Sequence, residues 1–132
     1  MKSAKGRTGF TLIELMIVVI IIAALAAMVV PRLIDRSDEA KSKIAEGDIR
    51  NIDLALKLYR LDTGDYPSGD QGLDALMAAS GKGPYLERKP IDPWGRRYQY
   101  RRPGMHNRTG YDLYSLGKDG KEGTEDDVTN WE

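Results

Sequence analysis

Apolar positions fall into two regimes along the 132-residue chain. From Phe10 to Val30, a run of 21 residues, only Thr11 and Glu14 are not apolar. At about 1.5 Å per residue such a helix reaches roughly 31 Å, close to the hydrocarbon thickness of a bilayer. A buried core helix is the alternative, but a domain this small has no core able to wrap the segment on all sides. After Pro31 the pattern becomes periodic. Ala45, Ile49, Ile52, Leu56 and Tyr59 recur at helical spacing and form one stripe, which predicts a face packed against something. Leu54, Leu58 and Leu61 are expected to widen that face. Pro31 lacks an amide hydrogen and crowds the preceding turn, so a kink or local melting is expected there. Gly64 reads as the C-cap. The two stretches together predict a single long helix from about residue 10 to about residue 62.

The remaining chain reads as loop, short helix and strands. Asp65 to Asp70 is loop by composition, and Gln71 to Ala79, with Leu73, Leu76 and Met77, is a short helix broken by Gly81, Gly83 and Pro84. Pro90 to Gly95 is again loop, with Trp94 as a packing anchor. The alternation of Arg97-Tyr98-Gln99-Tyr100-Arg101 predicts a half-buried strand, Tyr111 to Leu116 its partner, and Asp126-Asp127-Val128 a short third. His106 lies in the connecting turn, where solvent exposure is expected. The fold class is therefore α+β: a long N-terminal helix packed on a small antiparallel sheet.

Charge and composition narrow the chemistry. Twenty basic residues balance twenty acids, which does not favour a basic nucleic-acid binder. There is no cysteine, which excludes disulfides, thiolate zinc sites and cysteine nucleophiles, and a single histidine makes a multi-histidine metal centre impossible. Arg96, Arg97, Arg101, Arg102 and Arg108 alternate in part with tyrosines, the pattern of a base-stacking surface. A charged edge strand protected against aggregation accounts for them equally, so no nucleic-acid partner is assigned.

The ends of the apolar run carry more information. Lys2, Lys5 and Arg7 precede it and no acid does, which places the C-terminal bulk across the membrane. An ordinary signal peptide has a small-residue cleavage site after its apolar region. Here Ala24-Leu25-Ala26 lies inside the run, and the more informative boundary is Gly9-Phe10 before it. Glu14 is the anomaly, because an ionised carboxylate within hydrocarbon costs about 2.5 kcal/mol or more. A position near the headgroups would relieve it. So would a cut between Gly9 and Phe10, which gives Phe10 a free amino group one turn from Glu14 of the same chain, or within reach of Glu14 of a neighbour. The cut also removes three basic residues and no acid, leaving a formal excess of three acids.

Gly9-Phe10-Thr11-Leu12-Ile13-Glu14-Leu15 resembles the leader boundary of type IV pilins and pseudopilins. The resemblance implies that residues 1–9 are a leader removed by a prepilin peptidase after Gly9. It also implies methylation of the new N-terminal Phe10, docking between subunits through Glu14, and assembly through a 10–30 helix.

Near the other end, Gly117 to Asp127 holds five acids and three glycines and no apolar residue. It is either a solvated flexible loop or a cation site. Calcium takes six to eight oxygens in flexible geometry, and glycines let a backbone curl its carbonyls inward. Asp119 on one limb and Asp126-Asp127 on the other could pinch one ion. The EF-hand pattern fails, since Lys121 and Gly123 stand where its acids belong, and magnesium is less favoured because it retains water and wants stricter octahedral geometry.

This C-terminal pattern narrows the resemblance. Ser115-Leu116-Gly117-x-Asp119-Gly120 and Gly123-Thr124-x-Asp126-Asp127-x-x-Asn130-Trp131 are similar to the C-terminus of major pseudopilins of type II secretion systems. So are Tyr66-Pro67, Gln71-Gly72-Leu73-x-Ala75-Leu76 and Asp92-Pro93-Trp94-Gly95-x-x-Tyr98-x-Tyr100. The resemblance implies calcium held in loop 116–127 by the carboxylates of Asp119, Asp126 and Asp127 and the carbonyls of Leu116 and Lys121. The long stem of Lys121 can carry its ammonium outward to water. A metal clip would replace the disulfide that many type IV pilins carry.

The expected function is a structural one. The subunit waits in the inner membrane with residues 31–132 in the periplasm. It then polymerises into a periplasmic fibre that drives export of folded proteins across the outer membrane. The resemblance implies partners in further copies of itself, minor pseudopilins, the inner-membrane assembly platform and the peptidase. A major type IV pilin of an adhesion or motility fibre is the rival within the superfamily. A membrane-tethered enzyme using Asp126 and Asp127 as acid and base is the rival from another class; adjacent residues project differently and no nucleophile is near.

Overall fold

The protein is described here by a computed structural model that covers residues 6–78 and 82–131. It divides into two units, Met1–Ser37 and Asp38–Glu132. Helix α1, Leu12–Thr63, belongs to both. Its start is set by a capping box. The Thr11 hydroxyl accepts from the Glu14 amide at 3.3 Å, and the Glu14 carboxylate accepts from the Thr11 amide at 2.9 Å, so two orphan donors are satisfied reciprocally. The local melting expected at Pro31 does not occur, and helical backbone continues through it. A proline removes one hydrogen bond and crowds one turn, and the bonds on either side are retained.

In the first unit the apolar side chains of α1 are uncovered. Its most apolar window has a mean hydropathy of 3.0 with no part buried, so the helix is long and apolar enough to cross a membrane.

The second unit holds the core. Ala45, Ile49, Ile52, Ala55 and Leu56 of α1 are buried, with Tyr59 packed at the margin, as the stripe predicts. Leu54, Leu58 and Leu61 do not widen it; they are exposed on other sides of the helix. At 100° per residue they lie roughly opposite Ile52 and Leu56, and it is Ala55 that completes the buried face. Thr63 ends the helix and the Gly64 amide donates to the Arg60 carbonyl at 2.8 Å.

A 3₁₀ turn, Gly72–Leu76, stands where a short helix was expected and brings Leu76 into the core. Ala79 and Gly81 lie outside the described residues. Strands β1 (Gln99–Arg101), β2 (Asp112–Ser115) and β3 (Val128–Thr129) form an antiparallel sheet in that order. Tyr100 faces Leu113, and Tyr114 lies between Gln99 and Thr129. Arg97 forms only an isolated bridge with Ile91, so β1 is shorter than its alternation suggests. β2 is central and all four of its residues are buried.

Tyrosine hydroxyls tie this layer to the helix. Tyr98 donates to Asp48 at 2.7 Å, Tyr111 to Asp53, and Tyr85 to Asp62 at 2.6 Å. Burial and the facing carboxylates push the Tyr98 and Tyr111 hydroxyls far up, and the Asp62 bond holds Tyr85 at about 12. They remain donors at every physiological pH.

Two buried carboxylates shape the loops. Asp112 accepts from the amides of Met105, His106 and Asn107 at 2.8–3.0 Å, which fixes the turn between β1 and β2. His106 is exposed, yet it is engaged: its ring stacks on Trp131 at 4.1 Å and its Nδ1 lies 3.2 Å from Asp112. Three of the five arginines considered as a base-stacking surface find acceptors within the chain. Arg102 reaches Asp65 and the Tyr66 carbonyl, Arg101 reaches Glu122, and Arg96 reaches the Gly117 carbonyl.

Burial alone would raise the Asp112 carboxyl, but the converging amides and the His106 ring outweigh it and hold it below the usual carboxylate range. A depressed folded value means stability that is present above the unfolded pKa of about 4 and lost as pH falls through the folded one. Asp112→Asn should therefore lower stability by about 2 kcal/mol at neutral pH, because an amide group is turned on three donors. In thermal melts of both proteins, the gap should narrow as pH falls below about 4. A gap independent of pH would contradict this reading of Asp112.

Candidate functional site

The acidic loop connects β2 to β3 at the edge of the core. Its entry is fixed by Gly117, which sits at φ +63° with no room for a side chain, since a Cβ there would overlap the Asp126 carbonyl. The two limbs thus touch, and the touch brings together three carboxylates separated in sequence. One oxygen from each of Asp119, Asp126 and Asp127 lies within 4.8 Å of the others.

The local hydrogen bonds build this cluster. The Asp119 amide donates to Asp126 Oδ2 at 2.9 Å, the Lys121 amide to Asp119 Oδ1 at 2.8 Å, and the Gly123 amide to Asp127 Oδ2 at 2.7 Å. The inner oxygens converge on Thr124. Its Oγ1 lies 2.5 Å from Asp126 Oδ1, 3.1 Å from the Lys121 carbonyl, 3.2 Å from Asp119 Oδ1 and 3.3 Å from Asp127 Oδ1. One hydroxyl has one hydrogen, so it cannot satisfy four acceptors, three of them carboxylate oxygens. The Thr124 hydroxyl and the Asp119 amide hold the Asp126 carboxyl below the usual range, which keeps it ionised at neutral pH.

This is the fit expected of a hard cation. A calcium ion with oxygens at 2.3–2.6 Å spans ligand pairs up to about 5 Å apart, which accommodates the observed cluster. Of the predicted ligands, the structure brings together Asp119, Asp126, Asp127 and the Lys121 carbonyl. The Leu116 carbonyl is not among the oxygens around Thr124. Lys121 is exposed, as its expected outward course requires. Thr124 is the residue that reasoning from sequence passed over, although it stands inside the quoted Gly123-Thr124-x-Asp126-Asp127 pattern.

At the other end, Gly9, Phe10 and Glu14 are all exposed, and Glu14 is engaged with Thr11. The capping box gives this carboxylate a local partner that an account based on charge alone overlooks. Threonine followed three residues later by glutamate, just before an apolar run, was the available signal.

Comparison with known proteins agrees at both ends. Residues 4–30 match the model of the prokaryotic N-terminal methylation motif, and residues 32–131 match that of type II secretion system protein G. The chain is 48% identical to the type II secretion system core protein G of Pseudomonas aeruginosa over 97% of each chain. It is 42% identical to that of Escherichia coli K12, over 99% of this chain and 95% of the relative. Among solved structures, it is similar to the crystal structure of the major pseudopilin of the type 2 secretion system of enterohaemorrhagic Escherichia coli. That match has a TM-score of 0.64 and 37% identity, and covers 78% of this chain and 96% of the other. These matches favour the pseudopilin over a type IV pilin of a surface fibre. They also place the chain among structural subunits and not among enzymes. With its membrane-length helix, methylation motif and pilin-like domain, the chain belongs to the protein G family of type II secretion systems, the major pseudopilins.

Proposed function

We propose that the chain is the repeating subunit of a periplasmic fibre that drives export of folded proteins through an outer-membrane channel. The observation that carries this reading is the uncovered apolar half of α1. Such a surface needs either lipid or other helices around it. Before assembly the inner membrane covers it, with the basic leader cytoplasmic and the domain in the periplasm. After assembly, neighbouring copies of residues 10–30 replace the lipid contacts.

Residues 1–9 would be removed by a prepilin peptidase after Gly9, and Phe10 then carries a methylated amino group. That cation is the charged partner Glu14 lacks in lipid. Pairing it with Glu14 of an adjacent copy would cancel two charges in an apolar surround and set the step between subunits. The Thr11 amide already holds Glu14 at the helix start, so the carboxylate is presented at one place. Minor pseudopilins and the inner-membrane assembly platform would be the partners that start and drive polymerisation.

Calcium is the ion we assign to the acidic loop. Asp119, Asp126 and Asp127, with the carbonyls of Lys121 and Leu116, would hold it. Bound there, the ion supplies the positive charge that one Thr124 hydrogen cannot. Because an unfolded loop offers no such site, binding adds to the stability of the C-terminal end.

Two outcomes are expected. Glu14→Ala should be cleaved normally by the peptidase, as seen by N-terminal mass spectrometry, yet give less than about a tenth of the wild-type fibre yield, the loss of one charge pairing in an apolar surround. Wild-type yield would remove the docking role. For the detergent-solubilised full chain, chelation of calcium should lower the melting temperature by about 5 °C or more, and Asp126→Asn should melt at the lowered temperature with or without the ion. A melting curve indifferent to chelator would reject the calcium assignment.

A further inference from the structure

Beneath the acidic loop lies a polar ring that includes none of the candidate ligands. Asp92, in the loop before β1, is buried and accepts from the Arg96 amide at 2.8 Å through Oδ1 and from the buried Ser115 hydroxyl at 2.7 Å through Oδ2. Ser115 in turn accepts from the Gly117 amide at 3.2 Å, and the Gly117 carbonyl accepts from the Arg96 guanidinium at 2.7 Å. The ring therefore closes: Asp92, Arg96, Gly117, Ser115 and back to Asp92.

Arg96 also meets the loop at a second point. Gly120 sits at φ +70°, and a Cβ placed there would lie 2.7 Å from Arg96 Cζ, 2.8 Å from Nη2 and 2.9 Å from Nε. Three near-equal distances mean that the guanidinium plane faces the glycine. One side chain thus supports both Gly117 and Gly120, the residues flanking the Lys118-Asp119 pair. Asp119 is on the limb so supported, whereas Asp126 and Asp127 are on the other.

We propose that Arg96 is a positioning residue of the cation site, holding the Gly117–Gly120 limb in ion-binding shape before an ion arrives. The inference rests on the calcium assignment made above. A positive side chain close to a cation site has two opposed effects. Acting through charge alone, the guanidinium would repel the ion, and its removal would tighten binding. Acting through shape, it orders the Asp119 limb in advance, and its removal weakens binding. The two hydrogen-bonded anchors and the face-on contact favour shape. The guanidinium fork is also turned toward a carbonyl and a glycine backbone, and bonds the chain around the site.

The test uses the full chain in detergent, with calcium affinity measured by calorimetric titration. Arg96→Gln should weaken calcium binding about tenfold, the loss typical of removing a group that orients a ligand. Arg96→Lys, which keeps the charge but not the fork, should weaken it similarly. Gly120→Ala, which wedges the same contact from the loop side, should reproduce the loss. In chelator, trypsin should cut after Lys118 and Lys121 several-fold faster in Arg96→Gln than in wild type. Unchanged or tighter binding in Arg96→Gln would overturn the proposal, even if that variant melted lower, because a merely structural arginine moves the melt and not the affinity. A wild-type chain that takes up no calcium would instead reject the calcium assignment. The support of the limb would then be decided by the trypsin cuts alone, and equal rates would overturn it.

Discussion

The structure depends on a shortage of hydrogen-bond donors in one small loop. Four oxygens converge on Thr124, three of them carboxylate oxygens, and its one hydroxyl hydrogen cannot satisfy them all, although the Lys121 amide also donates to Asp119 Oδ1. Elsewhere the domain solves the same problem within the chain. Asp112 draws three amides and a histidine ring. Asp92 draws two amides and a serine. Both are buried and both shape the loop around them. The Asp119, Asp126 and Asp127 cluster follows the same construction principle but lacks enough donors to complete it. A cation of the kind proposed would complete it.

That shortage matters because the sheet is so small. Its strands have three, four and two residues, and β3 begins directly after the loop. Val128 belongs to the same core as Leu113, and Asn130 accepts from the Leu113 amide through its side chain. If the loop opened, β3 and the Trp131 stack on His106 would lose their anchorage on that side. With no cysteine available, ordering this segment falls to carboxylates, to Arg96 and to the Lys118–Asp38 pair at 2.5 Å.

Much of this was legible in the sequence. The stripe of Ala45, Ile49, Ile52 and Leu56 has one helical solution, and the alternation around Tyr98 and Tyr100 has one strand solution. Leu54, Leu58 and Leu61 misled because three leucines near a core stripe read as core, while their angle on the helix turns them away. Melting at Pro31 was a false expectation because a helix can lose one bond and continue. The three aspartates were found by composition and brought together by the fold. Thr124 and the Thr11–Glu14 box were not singled out, and Arg96 was weighed only as part of a base-stacking surface. Arg96 and the box act through backbone groups, whereas Thr124 acts mainly on carboxylates that only the fold brings together.

The two ends of the chain answer one physical demand in different solvents. A carboxylate at the head of an apolar helix and a carboxylate cluster at the tail each carry negative charge that the chain cannot fully neutralise. The first would be answered by another subunit, the second by an ion. Counting the ion is the most direct measurement. Equilibrium dialysis of the full chain against radioactive calcium should retain one ion per chain, and none once Asp119, Asp126 and Asp127 are all changed to asparagine. No retained ion in the wild type, or undiminished retention in the triple variant, would contradict the account.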